Sequence, residues 1–297
     1  MNWAEGVAFA SSGVYFTGIA FFKAAADRMG TLHGTRPLRM IAEMLASPVW
    51  AAGAVIMAVG LALQIVALSL LPLPAAQPVF MSALVVLVAI GLGCFAERLD
   101  GRECGSLLLV ALGTVLVAAA AAGTGGDGVP PATPFLLLMT LPCLAGPVAV
   151  FVLRDLRPAG AHARPSTGVT LGVTAGVLIG TAELALTGMT RLDPSTLAAT
   201  PYPYLFLVAV GLGIGQLQAA LQRHRMVIVV FAATAVAKTH LLLTGTILYR
   251  LSWPDGPGAA LLPLGAVLIA MAVVTLPRHE RPEPAISPAG QTRSGRP

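Results

Sequence analysis

Charge is what this chain of 297 residues has least of. Asp, Glu, Lys and Arg together make up 10% of it, against about 25% in soluble domains. With 56% hydrophobic residues, that scarcity excludes a soluble globular fold, because surface-to-volume scaling limits how much apolar surface a domain can hide. Lysine is scarcer still, with Lys23 and Lys238 the only two among eighteen cations. The three cysteines, Cys94, Cys104 and Cys143, form no CxxC pair, which argues against a disulfide framework. A P-loop, an HExxH motif and a plausible nucleophile–base pair are all absent. The chain is therefore not expected to be an enzyme, to carry a cofactor, or to drive transport with ATP by itself. The net charge of +5 does not indicate a nucleic-acid partner; what matters is where the cations lie relative to a bilayer.

What is present is a series of long apolar runs. A span needs about 20 largely apolar residues, and nine segments meet that need: 6–26, 47–71, 78–97, 104–123, 134–153, 167–188, 203–222, 226–249 and 258–276. These are unbroken runs rather than alternating ones, so helices are expected, not a barrel. No basic residue precedes the first run, so it is read as a retained helix rather than a signal peptide. Pro78 is placed at the first helical position of span 3, and Glu97–Arg98 as a solvated pair or a gate at its end.

The loops give a topology. Lys23, Arg28, Arg36, Arg39, Arg98, Arg102, Arg154, Arg157, Arg164, Arg223, Arg225 and the four tail arginines share one side; the other has only Arg191 and Arg250. By the positive-inside rule the N-terminus is outside the cell membrane and the C-terminus is cytoplasmic. Trp3, Trp50, Tyr202, Tyr204, Tyr249 and Trp253 fall near span ends, as interfacial aromatics do. Residues 277–297, polar and proline-rich, read as a disordered cytoplasmic tail.

Span 2, "AVGLALQIVAL" (58–68), and span 7, "AVGLGIGQLQAAL" (209–221), have the same order of Ala-Val-Gly-Leu, glutamine and Ala-Leu. Pairing spans 1–4 with 6–9 across span 5 gives two halves of opposite orientation. The expected fold is an all-α polytopic membrane protein of nine helices in two inverted repeats (4+5). Its parts would be residues 1–123 (spans 1–4), 124–276 (spans 5–9) and the tail. Inverted repeats characterise secondary transporters, with sites near the midplane.

Residues 47–117 resemble the first half of the drug/metabolite transporter superfamily, through Trp50, Gly53, the Gly-to-Ala-Leu helix, Pro78, Glu97 and Gly105. The nine spans are most similar to the NIPA-like branch of EamA-like transporters, and residues 204–235 are similar to that branch too. That resemblance implies transport of magnesium or a related divalent cation. This chain departs from it with Ala62-Leu63-Gln64, where the branch tends to place an acidic residue and an asparagine.

Gly168, Gly172, Gly176 and Gly180 recur at four-residue spacing in span 6, and Gly211, Gly213 and Gly215 follow in span 7. Small residues at this spacing let helices approach closely in lipid. The faces serve static packing, the rocking of one repeat on the other, or both.

Lys238 lies about 18 Å along span 8, near the bilayer centre. Intramembrane charge is costly and marks a site by default. Lysine releases a proton on burial more readily than arginine. The alternatives are a substrate or coupling role, a structural pair with Glu183, or a snorkelling side chain. Thr234 shares the face of Lys238 one turn earlier. His240 points elsewhere, as a packing residue or a proton relay. Glu183 is the acidic residue clearly within a span, either a proton or cation carrier or the partner of Lys238. Gln64 and Gln216 occupy symmetric places, for polar substrates or for interhelical hydrogen bonds.

The functional expectation is alternating-access transport of a small polar or anionic organic metabolite or drug. The alternatives are a NIPA-like magnesium transporter, with no ligand set assigned, and a non-transporting membrane scaffold or assembly subunit. Expected partners are the lipid bilayer and a small-molecule or ion substrate; a homodimer is allowed, nucleic acid is not.

Overall fold

The computed structural model describes residues 3–30, 32, 36–71, 76, 79–80, 82–121, 131–156, 166–193, 195–250 and 256–275. Among them every regular element is a helix. In lipid each backbone N–H and C=O must be satisfied within its own segment, which leaves the helix as the economical form for these runs. In chain order the helices are α1 (Trp3–Ala26), α2 (Pro37–Leu45), α3 (Pro48–Leu70), α4 (Leu84–Cys94) and α5 (Gly101–Ala121), then α6 (Thr133–Leu156), α7 (Ser166–Met189), α8 (Tyr202–Arg223), α9 (Met226–Leu248) and α10 (Gly258–Thr275). Seven of them (α1, α3, α6, α7, α8, α9 and α10) are long and apolar enough to cross a membrane. The chain is therefore a multi-pass membrane protein.

Each predicted span coincides with a helix, with one correction at the end of span 3. Residues 79, 80 and 82 are helical, a continuous helix runs from Leu84, and Pro78 lies outside the described residues. It ends at Cys94, three residues before the predicted end. Ala96 turns into the left-handed region (φ 51°) and the Glu97 N–H returns to the Gly91 carbonyl at 3.1 Å. The bond reaches one residue further back than the six-to-one bond of a Schellman ending, and the left-handed position is held by alanine rather than glycine. It carries Glu97 off the helix axis.

α2 falls where the sequence reads as the loop after span 1. In α2, Pro37 stands at the start and Arg39 pairs with Glu43 one turn on, at 2.8 Å. Met40 and Met44 face the bundle, while Leu38, Ile41 and Leu45 face outward. The predicted tail, 277–297, lies outside the described residues.

Packing joins the helices in pairs. α1 lies along α3, α7 lies between α8 and α9, and α5 lies along α10. Glycines set how closely they approach. A Cβ at Gly53 would stand 2.9 Å from the Gly18 carbonyl, and one at Gly265 would stand 2.6 Å from the Gly113 carbonyl. α7, α8 and α9 form the enclosed centre; α3, α6 and α10 show apolar sides such as Val55, Leu138 and Val267 outward.

One end of the bundle is fastened by the turn between α8 and α9. Gln222 donates to the Gly30 carbonyl and accepts from the Leu32 N–H, both at 2.9 Å. Lys23 Nζ donates to the Leu221 carbonyl at 2.9 Å, and Arg225 donates to the Arg98 carbonyl and to the Glu103 carboxylate. Toward the other end, Tyr202 and Tyr249 are buried rather than interfacial, because they pack among Leu184, Leu205, Leu241 and Leu248. Trp3 and Tyr204 are exposed as interfacial aromatics should be. Trp50 instead stacks on Phe22 with centroids 5.2 Å apart. Trp253 lies outside the described residues.

Candidate functional site

The glycine stripe of α7 positions the site. A Cβ at Gly172, Gly176 or Gly180 would meet the carbonyl of Val229, Ala233 or Ala237, at 3.0, 2.5 and 2.6 Å respectively. The stripe and the α9 backbone thus advance together, four residues at a time, and hold α7 and α9 in fixed register. The surroundings of Gly168 lie outside the described residues. In that register Glu183 on α7 comes level with Lys238 on α9.

Lys238 Nζ and Glu183 Oε1 lie 2.5 Å apart, with side chains 11% and 12% exposed. Lys238 is the thirteenth of 23 residues in α9, so the pair lies at mid-depth of the helix. Gln64 of α3 donates to the same oxygen at 3.4 Å. The Phe80 ring lies 5.0 Å from Nζ, within cation–π range. Tyr15 of α1 is within electrostatic reach of the carboxylate. Glu183 Oε2 is buried, and no donor among the described residues reaches it. Two charges at this depth are tolerable only when paired and hydrogen-bonded. Among the described residues one carboxylate oxygen is satisfied twice and the other not at all.

The other predicted residues divide. His240 faces away from the pair, bridging Thr181 (3.1 Å to Nε2) and Thr244 (3.2 Å to Nδ1) between α7 and α9. Thr234 is half-buried one turn before Lys238, without a hydrogen bond to the pair. Gln216 is buried but does not reach the pair; its Nε2 donates to the Pro147 carbonyl of α6 at 2.9 Å. Pro142 and Pro147 lie within α6 and remove two donors of its ladder, and the glutamine ties that section to α8. Gly215 sits beneath the Met40 methyl of α2. Gly211 is not a packing glycine: it is exposed, with nothing within 4 Å of where a Cβ would stand. The apolar arc of α8 turns the opposite way at that position.

Sequence reasoning missed Tyr15 and Phe80. Tyr15 had a usable signal, being the one tyrosine of the four that is far from any span end. Phe80 had none. It also missed the role of Glu97, which pairs with the N-terminus of α9 rather than with Arg98. Its carboxylate accepts the Met226 and Val227 N–H groups, the latter at 2.9 Å. These are two of the four donors a helix start leaves free. Burial nevertheless pushes the Glu97 carboxyl above the ordinary value of 4.5, against the opposing pull of those two bonds and of Lys23 and Arg225.

Comparison with profiles of known protein families, with curated proteins and with solved structures finds no match.

Proposed function

We propose that this protein is a secondary transporter of a small polar organic solute, working by alternating access around the Lys238–Glu183 pair. The observation that carries the reading is the pair itself. It joins α7 and α9 at mid-depth, takes a third member from α3, and has a carboxylate oxygen that no donor among the described residues reaches. A charge kept in a membrane core at this cost marks a substrate or ion path.

The packing supports a nine-span chain of two inverted repeats, like drug/metabolite transporters. α1 lies on α3 as α7 lies on α8. Gln64 lies among the buried residues of α3, as Gln216 does among those of α8. In that reading the N-terminus is outside, and the fastened end at the α8–α9 turn is the closed cytoplasmic gate. An organic solute is favoured over a bare divalent cation. Mg²⁺ wants oxygen ligands, and the carboxylate at mid-depth is shared with an ammonium.

The test is flux into liposomes containing the full chain. Wild type should move at least one solute from a panel of organic acids, amino acids, sugar phosphates and amines, and Lys238→Met should abolish that flux. Magnesium flux that survives Lys238→Met would establish the divalent-cation reading instead. No flux of any solute, with the protein folded, would establish a scaffold.

A further inference from the structure

The charge balance of the site narrows its substrate, and this inference rests on and deepens the transport reading. In the structure the Lys238 ammonium is already neutralised by Glu183, so the site holds no net charge for an anion to answer. An anionic ligand that took Lys238 would leave Glu183 unpaired at mid-depth. A cationic ligand that took Glu183 would leave Lys238 unpaired. Either leaves an uncompensated buried charge, the costly outcome of breaking such a pair.

We infer that the site takes a small zwitterion, a molecule with one carboxylate and one ammonium and no net charge, which replaces each half of the pair for the other. Its carboxylate takes Lys238. Its ammonium takes Glu183, including Oε2, the buried oxygen that no donor reaches in the described structure. Gln64 Nε2, a donor, can stay with Glu183 or turn to the ligand's carboxylate, and Phe80 supplies an aromatic wall beside Lys238. Both charged side chains keep a small exposure, 11% and 12%. Site and ligand stay neutral before and after exchange, so the binding step moves no net charge. It should not respond to membrane potential, which acts on a site only through the charge displaced.

The experiment is a thermal-shift and calorimetric series on the full chain in detergent, with α-amino acids as probes. Each is compared with the same acid lacking its amine and the same amine lacking its carboxylate. At least one zwitterion should bind, with both truncated forms weaker by tenfold or more. In Glu183→Gln the amine should lose its advantage while the carboxylate keeps it; Lys238→Met should show the converse. Because a single variant can unfold, the double variant Glu183→Gln/Lys238→Met serves as a second probe and should bind all three forms equally weakly. A truncated form that binds wild type as well as its zwitterion overturns the inference, as does silence from every amino acid at millimolar concentration. Zwitterion binding without flux would sink the transport reading and leave this one standing. Flux of another solute without zwitterion binding would do the reverse.

Discussion

Gln64 of α3 donates to the oxygen of Glu183 that also holds Lys238, at 3.4 Å. The three residues come from sequence positions as far apart as 64 and 238, and from both halves of the chain. The first prediction concerns their coupling. Glu183→Gln strands a lysine at mid-depth and should cost about 3–5 kcal/mol of stability. Glu183→Gln/Lys238→Met removes both charges and should recover most of it. Thermal unfolding of the four members of this cycle in detergent tests the coupling. Single effects that merely add would mean that the pair contributes nothing.

The glycine stripe should behave as a ruler. Gly176→Ala puts a methyl 2.5 Å from the Ala233 carbonyl, and overpacking of this kind costs about 1–3 kcal/mol. Gly211→Ala meets nothing within 4 Å and should gain up to about 1 kcal/mol from helix propensity. Melting temperatures that move together for the two variants would contradict the packing described.

Ala96 is a left-handed alanine at φ 51°. L-residues other than glycine hold that conformation at a cost of about 1–2 kcal/mol, part of which glycine repays through its greater freedom when unfolded. Ala96→Gly should therefore stabilise the protein, by about 0.5–1 kcal/mol, as read by its unfolding midpoint. A loss would mean the turn is made differently.

Glu97 gives the pH prediction. Its carboxyl is raised above 4.5 by burial, so the folded state binds its proton more tightly than the unfolded state does. The sign follows: stability linked to this group is full below pH 4.5 and declines as pH rises through the raised value. Glu97→Gln keeps an acceptor for the α9 N–H groups without the charge. It should unfold at higher temperature than wild type at pH 7 to 8, and the two should converge below pH 4.5. A variant less stable at pH 8 would show that the helix-end attraction outweighs burial.

Tyr249 donates its hydroxyl to the Leu184 carbonyl at 2.8 Å in a buried site. Tyr249→Phe removes the donor and leaves the carbonyl to its helix bond alone, which should cost about 1 kcal/mol. An unchanged midpoint in denaturant would mean the bond makes no net contribution.

Much of this protein could be read from residue order. Apolar run length placed the helices, since a bilayer requires each segment to satisfy its own backbone. The isolation of Lys238 among apolar residues marked the site, and Glu183 followed as the acid in a neighbouring span that could answer it. The four-residue glycine period announced a close helix contact, because α-helical geometry alone puts such residues on one face.

What the order of residues did not determine was which groups meet across helices. Gln64 and Gln216 look equivalent in sequence, yet only the first reaches the pair; the second goes to Pro147. Gly211 and Gly213 are two residues apart, yet they face opposite sides. Tyr202 and Tyr249 look like interfacial residues and are buried. α2 carried a proline start and a methionine pair, but nine residues among loop cations gave too short a period to stand out. Each of these outcomes depends on the rotation and register of one helix against another. Those are set by backbone contacts such as Gly176 on Ala233; the glycine period announces that a contact exists, but neither its partner nor its register. Hydrophobicity along the chain specifies that a segment enters the membrane; only the summed packing of all the helices specifies what its polar residues find there.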